Sequence, residues 1–222
     1  MLTMTLPKPY LSYSAYYLWK TNKDAFRRRY YLNEKSPDTP ETLFGKKCAE
    51  DDEKTFDPRY TESEYKIDIP KFGTVLHGRL DKFDPVRLKF LDRKTGHADK
   101  DGKAPWDKVK VHKSIQLVWY SLLIKEKFGK VDPVCHIVWQ ETEWVKDTRE
   151  FAGMTLPQIG KSRELRLTGK VKKFRRRIYE WERKKLLFDI KVVISQIAED
   201  YDKYKADKIQ VGSDTRLPVR QA

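Results

Sequence analysis

The spacing of apolar residues predicts helices in the first quarter of the chain and strands after it. Residues 11–33 and 42–56 carry apolar side chains at helical intervals, and a loop with two prolines separates them. From residue 73 to residue 92, apolar and polar positions alternate, and "DPVR" at 84–87 is typical of a turn. This stretch is therefore predicted to form a β-hairpin.

The rest of the chain is predicted to alternate between helix and strand. Apolar residues recur three or four positions apart in residues 112–129, which predicts a helix that Gly129 closes. The remaining predicted elements are a strand at 132–144, an irregular stretch at 146–164, two short strands around Gly169 within 165–177, a helix at roughly 179–205 and a loose tail after Lys208. This order indicates a single α/β domain with a central mixed β-sheet flanked by helices.

Charge and composition narrow the class of protein. The 222 residues carry a net charge of +14 at pH 7, and 13% of them are aromatic. The aromatic content favours a folded chain over a disordered one. The positive charge favours a polyanionic partner, either nucleic acid or an anionic membrane surface. A soluble basic protein without such a partner is the alternative.

Other features exclude several kinds of protein. No apolar run approaches the ~20 residues that a membrane-spanning helix needs, and the N-terminus lacks the charged-then-apolar layout of a secretory signal. Cys48 and Cys135 are the two cysteines, each alone in its neighbourhood. This excludes a disulfide framework and any four-cysteine metal site built from this chain alone. We expect a cytoplasmic protein without a membrane partner.

Two acids end the strands of the predicted hairpin. Asp81 lies near the end of the first strand and Asp92 near the end of the second, so the turn brings them to one end of the sheet. Two carboxylates this close repel each other when both are ionised, and such pairs persist when a cation lies between them. Oxygen ligands suit Mg²⁺ or Mn²⁺. The hairpin therefore predicts a divalent metal site.

A lysine follows the second acid at strand spacing. Lys94 is predicted to share a strand face with Asp92, while Arg93 points to the opposite face. An ammonium group beside a metal can orient an attacking water and counter the charge of a phosphate. This combination favours phosphodiester hydrolysis. A solvated turn with an ordinary salt bridge is the alternative.

Residues on two predicted helices favour the hydrolytic interpretation. Glu50, on the helix before the hairpin, offers a third carboxylate, although it also fits a solvated acid in the run "EDDE". Gln116 and Tyr120 lie one helical turn apart on the helix after the hairpin. An amide and a phenol there can hold the lysine, a metal-bound water or the substrate backbone. A surface pair is the alternative.

Four segments, "GKKCAE", "GRLDKFD", "FLDRKTG" and "QLVWY", carry a resemblance to a known family. Their order resembles the PD-(D/E)XK nuclease superfamily, in its RecB-type branch with the Gln-x-x-x-Tyr motif. The opening helical region and the late "LTGKVKKFRRR" resemble the flanks of phage-type members. The resemblance implies a restriction-endonuclease-like αβββαβ core. It divides the single domain into an N-terminal helical part at 1–45, a catalytic core at 46–145, C-terminal strands and a helix at 146–208 and a tail at 209–222.

The resemblance also implies a role for each motif residue. The matched positions are the metal-binding acids Asp81 and Asp92, the backbone carbonyl ligand at Arg93, the catalytic lysine Lys94, and the pair Gln116 and Tyr120 that binds DNA and orients the site. Many RecB-type members have a histidine where Ala49 stands here. The third ligand is therefore left open between Glu50 and Glu53.

Three basic clusters, at 26–31, 45–47 and 170–177, are interleaved with aromatic residues or glycine. Such mixtures suit phosphate contacts together with base stacking, and a solvated charged face is the alternative for each. The predicted DNA contacts are Arg27, Arg28, Lys46, Lys47, Arg175 and Arg176. His77 shares a strand face with Asp81 and is either a supporting residue of the site or structural. His112 and His136 are predicted to be structural.

These patterns lead to one main hypothesis. We expect a Mg²⁺-dependent DNA nuclease, with Mn²⁺ as a substitute ion, and more specifically an exonuclease in recombination, repair or end-processing that acts on single- or double-stranded ends. The resemblance implies a 5′-phosphate product and a phage or host-cytosol setting, with a second copy of the chain or a recombination protein as a partner. The alternatives are a catalytically inactive nucleic-acid-binding protein on a nuclease-like fold and a basic scaffold protein.

Overall fold

A computed structural model describes the chain over residues 5–35, 37–53, 62–98, 101, 103–129, 132–146 and 163–214. Within residues 49–53, 62–64, 145–146, 163–164 and 209–214, the description covers the backbone alone. Most of the predicted irregular stretch at 146–164 lies outside the described residues, as does the end of the predicted tail.

Helices and strands alternate along the described residues. The helices are α1 (Tyr13–Thr21), α2 (Lys23–Tyr30), α3 (Pro40–Glu53), α4 (Lys108–Lys113), α5 (Ile115–Phe128) and α6 (Glu180–Asp214). The strands are β1 (Tyr10–Ser12), β2 (Glu62–Lys71), β3 (Thr74–Asp84), β4 (Lys89–Gly96), β5 (Val134–Lys146) and β6 (Arg163–Arg176). Among the described helices, none combines the length and the apolar character needed to cross a bilayer.

Over the described residues, the strands form one six-stranded mixed sheet. Its order is β1-β3-β4-β5-β6, and β2 pairs with β3 outside this path. The β1–β3 and β4–β5 pairs are parallel, whereas β3–β4 and β5–β6 are antiparallel. A parallel pair needs a long crossover connection, and α4 and α5 lie within the one that joins β4 to β5. The predicted α/β fold with a mixed sheet flanked by helices is confirmed.

The predicted hairpin is present as β3 and β4. Its pairing matches Lys82 with Leu91 and Phe83 with Phe90. The buried Asp84 carboxylate accepts hydrogen bonds from the backbone N–H groups of Val86 and Arg87, each at 3.0 Å. This arrangement fixes the turn, since a short acidic side chain can satisfy the backbone donors that a turn leaves unpaired.

Several elements differ from their predicted bounds. The helix predicted at 112–129 is two helices, because Ser114 adopts an extended backbone between them, with ψ of 104°. The N-terminal helical region begins with the short strand β1 and breaks again at Asn22, which caps α2 with its side chain. Strand β2 begins within the predicted connector, and α6 runs on to Asp214.

Strand β6 is continuous, whereas two short strands were predicted around Gly169. The pairing register between β5 and β6 shifts between Gln140 and Thr142, opposite this glycine. Gly169 adopts a φ of 84°, a conformation that favours glycine. The strand therefore absorbs a bulge without ending.

The described chain divides into two compact units. The first is built from residues within 1–36, 68–78 and 180–222, and the second from residues within 37–67 and 79–179. The predicted single-domain organisation, with its boundaries, stays a prediction.

In the first unit, α1 and α2 are held to α6 by polar and aromatic contacts. Trp19 packs edge-to-face on Phe26 at 5.1 Å and donates a hydrogen bond to Gln196 at 3.1 Å. Asp200 accepts hydrogen bonds from Arg27 at 2.9 and 2.5 Å and from the Tyr31 hydroxyl at 2.9 Å. The hydrogen bonds from Arg27 hold the pKa of Asp200 below its usual range.

In the second unit, α5 forms the centre of the core. Its residues from Leu117 to Ile124 are all buried, and Tyr120 meets Phe90 of β4 edge-on at 6.0 Å. Burial on all sides explains the nearly continuous apolar sequence of this helix. The few polar side chains that α5 turns toward the sheet are therefore held in a fixed environment.

Arg176 anchors the start of α5. This residue is 4% exposed, and its Nη1 donates to the carbonyl oxygens of Val111 at 3.1 Å and Ser114 at 2.7 Å. The guanidinium thus ties β6 to the junction between α4 and α5. The prediction that Arg176 contacts DNA is wrong, because its charged group is buried against backbone carbonyls.

Replacing Arg176 should destabilise the protein, whereas replacing the neighbouring Arg175 should not. We expect Arg176→Met to lower the free energy of unfolding by about 2–4 kcal/mol, because two backbone acceptors lose a charged donor. Arg175→Met on the same strand removes an exposed side chain and should cost less than about 0.5 kcal/mol. Urea denaturation followed by circular dichroism measures both, and equal stabilities for the two variants would contradict the anchoring role.

Candidate active site

The hairpin brings the two predicted metal-binding acids together. Continuing the β3–β4 pairing by one step from Lys82 and Leu91 places Asp81 opposite Asp92. The backbone N–H of Arg93 donates to Asp81 Oδ2 at 2.6 Å. This bond holds the Asp81 carboxylate against the strand that carries the second acid.

Both carboxyl groups resist ionisation. Crowding by the surrounding protein, followed by the charge of Asp92, raises the pKa of Asp81 to about 6, although the residue keeps an exposed surface. Asp92 is 4% exposed, and burial raises its pKa while the Lys94 ammonium opposes that effect. The site therefore holds more negative charge than its own residues neutralise comfortably, which favours a bound cation.

Lys94 lies between the buried acid and helix α5. Its Nζ is 2.8 Å from Asp92 Oδ2 and donates a hydrogen bond to Gln116 Oε1 at 3.0 Å. Gln116 Nε2 donates in turn to the Tyr120 hydroxyl at 3.0 Å. The helical spacing of these two residues places the amide where it can orient the ammonium.

Asp92 Oδ2 leaves room for a further ligand. The atom is buried, and no described group gives it a well-aligned hydrogen bond, since the Lys94 contact meets the distance but not the direction of one. Buried carboxylate oxygens normally have such partners. An unsatisfied oxygen beside a second, solvent-reachable carboxylate fits a hard cation such as Mg²⁺ or Mn²⁺.

The side chains of the two candidates for the third metal ligand are not among those described. Glu50 and Glu53 lie in α3, but the description of both stops at the backbone. Among residues with described side chains, no group of three or more His, Cys, Asp or Glu could hold a metal ion. Helix α3 does approach β4: a Cβ added to Gly45 would lie 3.4 Å from Thr95 Oγ1. The backbone carbonyl of Arg93 stays a predicted ligand.

The predicted DNA contacts fall into different environments. Arg28, Lys47 and Arg175 are exposed. Lys46 pairs with Asp38 at 2.6 Å. Arg27 is committed to Asp200, as described above, and both it and Arg28 belong to the first unit. Lys46 and Arg27 are also exposed, and the DNA contacts of these five residues stay predictions.

The surroundings of two histidines, His77 and His136, bear on their predicted roles. His77 belongs to the first unit, where its Nδ1 is 2.7 Å from Asp68 Oδ1 and its ring lies 5.0 Å from that of Tyr10. Burial lowers the pKa of His136 to about 4, so this side chain is neutral at physiological pH. These surroundings favour a structural role for His77 and for His136.

Sequence reasoning missed the aromatic neighbour of Lys94 on the adjacent strand. Trp139 of β5 lies beside Lys94 in the parallel pairing and is fully buried. The Lys172 ammonium lies 5.7 Å from the centre of its indole ring. The partner of Lys94 depends on which strand pairs with β4, and the local pattern of residues does not reveal this.

Comparisons with known proteins support the fold. No protein-family model matches the chain, and no curated protein matches it. The crystal structure of a candidate exonuclease from Eubacterium rectale superposes with a TM-score of 0.54 at 11% identity, covering 86% of this chain and 82% of that one. The solved structure of SSO0001 gives a TM-score of 0.44 at 14% identity, covering 87% of this chain and 75% of the other. The chain thus has a nuclease-like fold.

The raised pKa of Asp81 predicts a pH-dependent stability. Because the folded protein holds this proton to about pH 6 while an unfolded aspartate releases it near its ordinary value, wild-type stability falls as pH rises through that window. Asp81→Asn lacks this term, so we expect the variant to gain stability over the wild type between about pH 4 and pH 7. Urea denaturation in EDTA measures the difference.

A control separates the site from general charge effects. Asp207→Asn removes an exposed carboxylate near the end of α6 and should follow the wild-type profile. Adding Mg²⁺ should raise the wild-type melting temperature more at the upper end of the window, where Asp81 ionises, and should raise that of Asp81→Asn less. Parallel profiles for wild type and Asp81→Asn would contradict the close pairing of the two acids.

Proposed function

We propose that the protein is a Mg²⁺-dependent nuclease that hydrolyses phosphodiester bonds in DNA, acting as an exonuclease at DNA ends. The observation that carries this proposal is the arrangement of Asp81, Asp92 and Lys94 on two paired strands, with Gln116 and Tyr120 of α5 fixing the lysine. The nuclease-like fold and the net charge of +14 support it. The residues present fit a divalent cation through the unsatisfied oxygen of Asp92.

Each residue of the site has a role set by its environment. Asp81 and Asp92 would hold the cation, which would favour the ionised form of two carboxyl groups whose pKa values burial raises in its absence. A bound Mg²⁺ would supply Lewis-acid chemistry, neutralising phosphate charge and making water a better nucleophile. This division of labour requires both acids to be ionised when the site works.

Lys94 would act on the substrate through its ammonium protons. Lys94 donates one hydrogen bond to Gln116, which helps to hold the ammonium beside Asp92. The remaining donors can orient the attacking water and bind a non-bridging phosphate oxygen. The water oxygen would form a bond to phosphorus and release a proton to the solvent, while the bond to the leaving sugar oxygen breaks and that oxygen takes up a proton from the solvent. We expect a 5′-phosphate product, with the leaving group at the 3′ oxygen.

Removing the buried acid should abolish cleavage. Asp92→Asn keeps the shape of the side chain and its place in the sheet, but it removes the charge that a cation needs. We expect Mg²⁺-dependent cleavage of labelled linear DNA to fall by on the order of 10³-fold or more. Asp68→Asn, an exposed carboxylate on β2, is the matched control and should retain wild-type activity.

The result of this experiment decides between enzyme and binding module. Cleavage that persists in Asp92→Asn, or that survives EDTA, would contradict the proposal. A wild type that binds DNA without cleaving it would instead favour a catalytically inactive nucleic-acid-binding protein. Comparing linear, circular and nicked DNA tests the exonuclease assignment, because an exonuclease requires an end and leaves closed circles intact.

Replacing the lysine should separate binding from turnover. We expect Lys94→Ala to bind DNA and Mg²⁺ with nearly wild-type affinity and to lower kcat by about 10²–10⁴-fold, the usual contribution of a positioned proton-transfer or charge-stabilising group. Lys66→Ala, on the exposed face of β2, controls for the loss of a positive charge. Single-turnover cleavage and calorimetric Mg²⁺ titration measure the two effects, and an unchanged rate would remove Lys94 from the mechanism.

A further inference from the structure

Helix α6 exposes apolar side chains on the face that its own unit does not cover. Trp181 is 64% exposed, Phe188 71% and Val192 38%. At 100° per residue, positions seven and eleven apart return to nearly the same side of a helix. These three residues therefore form one line, the aromatic stripe.

The stripe is not needed for packing within the first unit. The buried side of α6 carries its own apolar residues, among them Leu186, Ile190, Val193 and Ile197. Exposed large aromatic residues in a row are unusual on a monomer surface and mark binding sites when they cluster. The stripe is therefore a candidate binding surface for another molecule.

Lysines border the stripe and favour a negatively charged partner. Lys184, Lys185 and Lys191 are exposed and lie within about one quarter-turn of it. Among the nearby acids, Glu180 pairs with Arg183 at 2.8 Å, Asp189 pairs with Lys20 at 2.9 Å, and Glu182 is half-buried. The surface thus combines exposed rings with positive charge.

We propose that the aromatic stripe of α6 binds single-stranded nucleic acid, with bases stacked on Trp181 and Phe188 and phosphates contacted by the bordering lysines. The inference rests on the proposed nuclease function for the identity of the polyanion. The two rings lie about 10 Å apart along the helix axis. Rings in a basic setting bind unpaired bases irrespective of sequence, because every base has a flat face to stack.

Other partners fit the surface less well. In a duplex, the base faces are already stacked on each other, so exposed rings gain little from it. Two copies of the stripe would bring like-charged lysines together, which disfavours self-association. Three apolar side chains also bury little area in a lipid surface, where such helices need a broad apolar face.

The test uses the full chain carrying Asp92→Asn, in EDTA, so that binding is measured without cleavage. Fluorescence anisotropy gives the Kd for a labelled oligo-dT of about 20 nucleotides and for a blunt duplex of the same length. Adding Trp181→Ala with Phe188→Ala should weaken oligo-dT binding by about tenfold or more and duplex binding by less than about threefold. Tyr17→Ala, which removes a 50% exposed ring on α1, should change neither, and Trp181→Phe should retain most of the affinity.

Several outcomes would overturn the proposal. Unchanged oligo-dT affinity, or an equal loss for oligo-dT and duplex, would exclude base stacking on the stripe. A dimer that light scattering detects in the parent and not in the double variant would assign the surface to a second copy. Loss of binding to phosphatidylserine vesicles without loss of oligo-dT binding would assign it to a membrane. Trp181, Phe188 and Tyr17 are exposed positions, so thermal melting unchanged from that of the Asp92→Asn parent verifies the fold of each further variant.

The two proposals fail separately. Stripe-dependent binding by a protein whose wild type never cleaves DNA would remove the nuclease function and leave the binding surface. Mg²⁺-dependent cleavage that needs Asp92, together with stripe-independent binding, would do the reverse.

Discussion

The Lys94 ammonium, held between the buried Asp92 carboxylate and the Gln116 amide, is the interaction on which the rest of the site depends. A carboxylate that is 4% exposed is costly to ionise unless a positive charge lies beside it. Lys94 supplies that charge only because β4 pairs between β3 and β5 and because α5 returns across the sheet. The position of the Lys94 ammonium thus depends on the hairpin turn, the crossover and the anchor at the start of α5.

The same interaction explains why the site is incomplete by itself. Lys94 lies 2.8 Å from Asp92 and donates to Gln116, while burial and the charge of Asp92 still raise the pKa of Asp81. The excess negative charge is a standing cost to the folded state, of the kind that proteins keep where function requires it. In the proposed function, a divalent cation would offset that cost and also supply the chemistry that a lysine and two acids lack.

The parts of the structure that depend on local pattern could be predicted from the sequence. Alternation in β3 and β4 and helical spacing in α5 place Asp81, Asp92, Lys94 and the Gln116–Tyr120 pair in one neighbourhood, because both periods are short. The anchoring role of Arg176 could not be predicted, since in "FRRR" it looks like its exposed neighbour Arg175. Only the pairing of β6 with β5 decides which arginine faces inward. The position of Trp139 beside Lys94 could not be predicted from the sequence for the same reason.

The carboxylate site and the aromatic stripe perform different tasks for a nucleic-acid substrate. In the proposed nuclease, Asp81, Asp92 and Lys94 would act on the phosphodiester, which is the same in every strand and every sequence, so they would offer no means to tell a single strand from a duplex. That distinction requires groups that detect unpaired bases. Exposed rings do so, because a base face is available only when the strand is unstacked. An enzyme that trims unpaired ends needs both kinds of surface, and the chain supplies the first in one unit and the second in the other.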